Sequence, residues 1–283
     1  MYLGAHVSSA GGLEKSVGRA LEIGAEAMQL FPSSPRMWRF KMTSEANIAK
    51  FNAAIAEANM GPTVFHGIYL CALASEDEAL LARSIDSLTN YLKLAELIQV
   101  EGVLFHPASH KGRGYETVEK QFVNATHQIL KEAPGTPWLA LENSAGMGDH
   151  LGSKFEELGK LIKAIDSPRI KVCFDTQHAF ASGYDMSTKD GVAAAMDEFD
   201  REIGVDLIKA VHCNDSKTPL GSSVDRHENL GEGEIGEDGF EAIMSHPAFA
   251  DVPFYLEVPG FEKGGPDKQN MDIAKAIRER TQS

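Results

Sequence analysis

The sequence predicts an α/β fold: a closed, TIM-type (β/α)8 barrel in a single domain spanning residues 1–283. Three observations predict it. Short apolar runs of β type alternate with longer segments of helical spacing, such units number eight, and about 280 residues is the length that eight of them occupy. No low-complexity linker or charge block divides the chain.

The β-type runs fall at residues 2–7, 27–31, 63–66, 102–106, 138–142, 170–175, 207–212 and 254–258. Between them lie helical patterns, among them 76–98, 117–131, 154–164 and 192–203. In the first of these, Leu80, Leu81, Ile85, Leu88, Leu92 and Leu97 approximate a stripe at helical period. The acidic stretch Ser75-Glu-Asp-Glu78 reads as that helix's N-terminus, with Ser75 as cap. Strands that alternate with helices form a parallel sheet, because each strand needs a crossover to lie beside the last. The alternative is an open doubly wound sheet. The turn after the first run, from His6 to Gly12, lacks the GxGxxG spacing of a dinucleotide fold, so the barrel is favoured and no nucleotide cofactor is expected.

Composition narrows the class. With 43% hydrophobic and 24% charged residues the chain can bury a sizeable core. No basic segment followed by an apolar run opens the sequence, and no stretch approaches the roughly 20 apolar residues of a membrane span, so neither a secretory signal nor a membrane partner is expected. Cys71, Cys173 and Cys213 are scattered without a CxxC pair, which fits reduced thiols in a cytoplasmic protein. Cys173 and Cys213 read as small core hydrophobes within strands. The net charge of −14 opposes a general nucleic-acid coat and, taken alone, favours a soluble metabolic enzyme.

The strand ends point to chemistry. Runs three to eight finish with or at His66, His106, Glu142, Asp175, His212 and Glu257. In a parallel barrel all the carboxyl ends open onto one face, where active sites form. His, Asp, Glu and Cys make up about one residue in five, so six such endings by chance have a probability on the order of one in ten thousand. Nitrogen and oxygen donors without cysteine suit zinc or manganese. His178 follows Asp175 by three residues, and Asp225 and His227 share one side of an extended segment. The loop carrying that pair, about 214–234, is long for a barrel, and such loops are functional or disordered. Nine donors exceed what one zinc takes; two or three ions sharing a bridging carboxylate fit, and clustered metals suit phosphoryl chemistry.

The ordered motifs resemble those of the endonuclease IV family of abasic-site endonucleases over nearly the full length. They are Gly4-Ala-His-Val-Ser8 with Gly11-Gly12, Phe105-His-Pro-Ala-Ser-His110, Leu141-Glu-Asn-Ser-Ala-Gly146, the run from Cys173 to Asp185, His212-Cys-Asn-Asp-Ser-Lys217, Val224-Asp-Arg-His227, and Gly231-Glu-Gly-Glu-Ile-Gly236. The resemblance implies three zinc ions per chain, with manganese able to take one site. It makes His66 and His106 terminal ligands of one zinc and Glu142 the bridge to a second, which Asp175, His212 and Glu257 complete; His178, Asp225 and His227 hold the third. Glu142 is then also the catalytic candidate, positioning a metal-bound hydroxide.

The implied reaction is hydrolysis of the phosphodiester 5′ to an abasic site in double-stranded DNA, leaving a 3′-hydroxyl, together with removal of 3′-blocking groups. Arg36, Tyr69 and Leu70 are the implied DNA-stack contacts, and Arg226 meets a phosphate. The chain departs from the family pattern after His66, where Gly-Ile-Tyr-Leu-Cys-Ala-Leu replaces a run ending Leu-Ile-Asn, in the segment 31–36, and at Gln177, where cysteine is common. Three zinc ions would bring the net charge from −14 to roughly −8, leaving modest DNA affinity with strong salt dependence. The competing function is a metal-dependent sugar isomerase or epimerase of the xylose-isomerase-like barrels, which has no need of His178, Asp225 and His227.

Other residues read more blandly. His6 faces the same end as a supporting histidine, His110 is a phosphate contact or a surface group in equal measure, and His127, His150 and His246 are solvent-facing. Trp138 is a packing residue, as is Trp38 unless it meets DNA. No apolar interface stripe is left over, so a monomer is expected.

Overall fold

Strand-forming runs give β1 (Leu3–His6), β2 (Ala27–Leu30), β3 (Thr63–His66), β4 (Gly102–Phe105) and β5 (Trp138–Glu142) in the first half of the chain. The second half adds β6 (Ile170–Asp175), β7 (Ile208–His212), the two short strands β8 (Asp215–Ser216) and β9 (His227–Glu228), and β10 (Phe254–Leu256). The helices are α1 (Glu14–Glu22), α2 (Glu45–Ala58), α3 (Glu78–Ile98), α4 (Tyr115–Glu132) and α5 (Phe155–Ile165), then α6 (Thr176–Ala181), α7 (Lys189–Glu202), α8 (Gly236–Ser245) and α9 (Lys268–Thr281). This computed structural model describes residues 1–282; Ser283, the last residue of the expected domain, lies outside the described residues.

The barrel closes in the order β1-β10-β7-β6-β5-β4-β3-β2, with every neighbouring pair parallel. The expected (β/α)8 fold is therefore present. Strands β3, β5 and β6 match their apolar runs, whereas β1, β2, β4, β7 and β10 are shorter, because ladder pairing there does not extend over the whole apolar pattern. His106 and Glu257 consequently lie one residue beyond β4 and β10, and Cys213 lies just after β7 rather than within a strand. The helices pack their apolar faces on the outside of the sheet. In α5 the buried set Phe155, Leu158, Leu161, Ile162 and Ile165 forms such a stripe at helical spacing.

The start of α3 differs from the sequence expectation. Asp77, not Ser75, is the cap, its carboxylate accepting from Ala79 N at 2.9 Å and Leu80 N at 3.1 Å. Ser75 Oγ instead accepts from Asp77 N, shaping the turn before the helix. An acidic cap also complements the helix dipole, which the hydroxyl cannot do.

Strand side chains alternate, and one inward layer is a separate apolar cluster: Ala27, Val64, Leu104, Ala140, Cys173, Ala210 and Tyr255. One step toward the amino ends, Trp138 packs against this layer and Gly102 on the paired strand makes room for it. A Cβ on Gly102 would lie against the Trp138 ring and 2.5 Å from its carbonyl oxygen. Gly102→Ala is expected to destabilise the fold by about 1–3 kcal/mol through overpacking. Urea unfolding reads this, and a change within about 0.5 kcal/mol would contradict the packing account.

Candidate metal centre

Two residues above the apolar layer, the strand period places a second inward layer. Counting up from Gly4, Ala27, Val64, Leu104, Ala140, Cys173, Ala210 and Tyr255 gives His6, Gln29, His66, His106, Glu142, Asp175, His212 and Glu257. A single period thus carries the chain from a dry core to a ring of donors at the carboxyl end of the barrel. The three remaining candidates come from above it. His178 sits in α6, whose start is fixed by Asp175 Oδ1 accepting from His178 N at 2.8 Å. Asp225 and His227 come from the loop after β7.

That loop is ordered rather than disordered. β8 and β9 pair antiparallel within it. The buried Asp215 carboxylate accepts from the backbone N–H groups of Ser216, Gly231, Gly233, Ile235 and Gly236, pinning the loop's return. Burial raises the Asp215 pKa, against the opposing pull of these N–H groups.

All nine predicted donors come together. Glu142 is fully buried at the centre: Oε2 faces His66 Nε2 at 3.5 Å and His106 Nδ1 at 3.7 Å, while Oε1 faces His212 Nδ1 at 3.0 Å and His178 Nδ1 at 3.2 Å. His212 Nδ1 also lies 3.5 Å from Asp175 Oδ2 and 3.4 Å from Glu257 Oε2. Asp225 Oδ1 is 3.5 Å from His178 Nε2 and 3.4 Å from His227 Nε2. Four overlapping sets are close enough to hold a cation: His66–His106–Glu142, Glu142–Asp175–His212, His66–His212–Glu257 and Asp175–His178–His227.

The hydrogen bonds test whether cations fit. His66 donates Nδ1–H to Gly67 O at 2.6 Å, His178 to Asn143 O at 2.9 Å and His227 to Glu257 O at 3.2 Å, since a carbonyl only accepts. In its neutral form each ring therefore turns an unprotonated Nε2 toward the cluster. His66 Nε2, His227 Nε2 and Glu142 Oε2 are buried without a hydrogen-bond partner. Lone pairs facing carboxylate oxygens repel unless a positive charge lies between them. Metal ions meet that requirement, and the donor set suits them.

The protonation pattern reports the same excess of negative charge. Burial would raise the Glu142 and Glu257 pKa values, yet the surrounding imidazoles hold both well below the usual carboxylate range. Burial would lower His178 and His212, yet facing carboxylates hold both well above the ordinary histidine value. Burial would raise Asp225, but its hydrogen bond with His178 and the charges of His178, His227 and His106 together bring it down to about 2. Burial prevails at His106, which drops to about 4 and stays neutral, the form a metal ligand needs.

Several supporting residues escaped the sequence reading. Asn143 Oδ1 accepts from Asp175 N at 2.7 Å and its Nδ2 donates to Asp175 O at 3.0 Å. Asn214 Nδ2 donates to Asp175 Oδ2 at 2.8 Å, while its Oδ1 accepts from Glu257 N at 2.8 Å. Gln29 joins Glu257 and His212. The first two directly follow or closely trail donors in the quoted motifs; Gln29 could have been found by extending the inward layer to β2.

The proposed DNA contacts are more dispersed. Tyr69 is 60% exposed at the rim, its ring 5.9 Å from that of His66 and 5.3 Å from that of Phe31, with Leu70 beside it. Arg226 is exposed and donates to Asp225 O at 2.7 Å. Arg36 is exposed in the segment between β2 and α2. His6 Nδ1 lies 2.8 Å from Glu257 Oε1, whereas His110 Nδ1 accepts from Gly114 N within its own loop. His127 is exposed as expected, but His150 and His246 are half-buried and hydrogen-bonded.

Fold and donors together define a (β/α)8 protein whose strand ends can gather clustered cations. Residues 17–280 match the family described as "Xylose isomerase-like TIM barrel". A relative from Halothermothrix orenii, named "Probable endonuclease 4", is 44% identical over 279 residues, covering 98% of this chain and 99% of its own length. The crystal structure of endonuclease IV from Thermus thermophilus superposes with a TM-score of 0.88 at 36% identity, covering 99% of this chain and all of that one. This chain belongs to the endonuclease IV family. A D-tagatose 3-epimerase-like protein, at 20% identity and a TM-score of 0.77, shares the fold alone. Among the described residues no helix is long and apolar enough to cross a membrane.

Linkage gives the titrations opposite signs. In chelated protein the raised imidazoles contribute stability below their unfolded value of about 6.5, lost as pH rises through their folded values. The lowered carboxylates contribute above about 4.3, lost as pH falls. Chelated protein is expected to melt at a lower temperature at pH 8 than at pH 6, with zinc removing the decline. Equal melting temperatures for the chelated protein at both pH values would contradict this.

Proposed function

We propose that this chain is a DNA-repair endonuclease that hydrolyses the phosphodiester 5′ to abasic sites in duplex DNA, using three zinc ions. It leaves a 3′-hydroxyl and also clears 3′-blocking groups, acting as a monomeric barrel domain. The observation that carries this reading is the convergence of eight nitrogen and oxygen donors in cation-sized sets, with Asp225 against His178 and His227, around buried polar atoms without hydrogen-bond partners, in a member of the endonuclease IV family. His66, His106 and Glu142 would hold one ion, Glu142, Asp175, His212 and Glu257 a second, and His178, Asp225 and His227 the third. When bound, zinc supplies Lewis acidity, lowering the pKa of water toward about 7 and drawing charge from phosphate oxygens.

The chain's own residues set the geometry for this chemistry. Glu142 divides its two oxygens between donor sets on either side, so one rigid carboxylate fixes their separation. The adjoining groove is lined by Phe31, Tyr69, His227, Lys217 and Lys263, among others. Its two ammonium groups suit phosphate oxygens on an otherwise acidic molecule. Tyr69 and Leu70 project where a wedge can enter the base stack, a step that costs less where a base is missing.

Incubation with a duplex carrying one tetrahydrofuran abasic mimic tests the reading. Incision directly 5′ of the mimic, lost with chelator and restored by zinc, is expected; an untouched mimic would refute it. Glu142→Gln is expected to lower kcat by about 10³-fold, the scale of about 4 kcal/mol of lost transition-state stabilisation. Tyr69→Ala with Leu70→Ala should weaken binding to the abasic duplex about tenfold while leaving affinity for intact duplex within twofold. A uniform loss on both duplexes would instead assign the pair to general phosphate contact.

A further inference from the structure

Gln29 belongs to the inward donor layer, yet it is neither imidazole nor carboxylate, and it is fully buried. Its Nε2 lies 2.6 Å from Glu257 Oε1 and 2.9 Å from His6 Nδ1, and its Oε1 lies 2.8 Å from His212 Nε2. An ionised carboxylate only accepts hydrogen bonds, so the atom against Glu257 must be the amide NH2. With the amide turned over, oxygen would face oxygen at the same separation. One amide hydrogen then serves Glu257, while His6 Nδ1, 2.8 Å from the same carboxylate oxygen, gives its own proton to that oxygen and only abuts the amide nitrogen. The amide oxygen faces His212 Nε2, which must carry the ring proton. The lone pair of His212 is thereby left on Nδ1, the atom directed at Glu142, Asp175 and Glu257.

We infer that Gln29 is a positioning residue of the metal centre, locking His212 in its Nε2–H tautomer while holding Glu257 toward the same cation. This rests on the metal-centre reading proposed above. His66, His178 and His227 achieve the equivalent orientation differently, giving Nδ1–H to backbone carbonyls and turning Nε2 inward. Only a side chain crosses the barrel mouth to His212, for β2 and β7 are not neighbours in the sheet. One amide thus braces two donors of a single cation set, a role typical of the hydrogen-bonded partners that orient metal ligands.

Two measurements on the zinc-loaded full chain separate this inference from the trinuclear reading. The first is the position of the His212 ring proton in wild-type protein, from nitrogen-15 ring shifts. A proton on Nε2 supports the inference; a proton on Nδ1 overturns it, whatever the zinc content. The second is zinc retained per chain during dialysis against graded chelator. Gln29→Met, which keeps the side chain's length without its polar groups, is expected to release one zinc at about 10- to 100-fold lower chelator concentration than wild type. The other zinc ions should leave at the wild-type concentration, with the far-ultraviolet dichroism unchanged. Gln29→Glu restores the acceptor facing His212 but sets oxygen against Glu257, and is expected to release the same zinc early. Wild-type retention in both variants overturns the inference, as does simultaneous loss of all the zinc from a folded variant. The wild-type zinc count bears only on the trinuclear reading.

Discussion

The carboxyl end of this barrel is governed by a surplus of lone pairs. Glu142, Asp175, Asp225 and Glu257 bring four carboxylates among imidazoles that turn unprotonated nitrogens toward them. A buried arrangement of acceptors facing acceptors holds only when positive charge is shared among them. Protons can supply part of it, and the raised imidazoles His178 and His212 show the pull they are under. Bound metal cations would supply it more fully. The supporting amides, the buried loop anchor at Asp215 and the layout of the groove all follow from keeping that cluster in register.

Barrel geometry makes the cluster possible. Each strand moves by one inward layer in two residues, so the dry layer from Ala27 to Tyr255 acts as a floor and the donors stand on it. Small residues such as Ala140 and Ala210 sit directly below Glu142 and His212, while Tyr255 fills the interior below Glu257. The floor limits water entry from below, so the electrostatic interactions above it are weakly screened. A D-tagatose 3-epimerase-like protein shares this barrel fold, and the fold by itself does not specify a reaction. The extra set formed by His178, Asp225 and His227 comes from α6 and the long loop that carries β9, elements outside the barrel strands.

Much of this was legible from residues alone. Apolar runs of four to six residues ending in His or an acidic group exposed both the strands and the donor rim, because burial and ligation impose their patterns on the same short segments. His178 was legible through its spacing from Asp175, and Asp225 with His227 through alternation. Gln29 was not, since a neutral amide is a poor metal donor and its apolar run reads on through Phe31. Asn143 and Asn214 act by hydrogen-bonding Asp175 from elements distant in sequence, which spacing cannot display. The cap of α3 was misplaced because Ser75 and Asp77 both suit such a position locally; only the final backbone path decides between them. The β8–β9 pair was hidden because two-residue strands carry no periodicity.

Anomalous diffraction from crystals of the zinc-loaded chain, recorded at the zinc absorption edge, examines the lone-pair cluster most directly. Three peaks are expected among the nine donors, each about 2.0–2.2 Å from its nitrogen and oxygen ligands, with a pair of them flanking Glu142. Peaks confined to the protein surface, or an absence of zinc beside Glu142, would contradict the account.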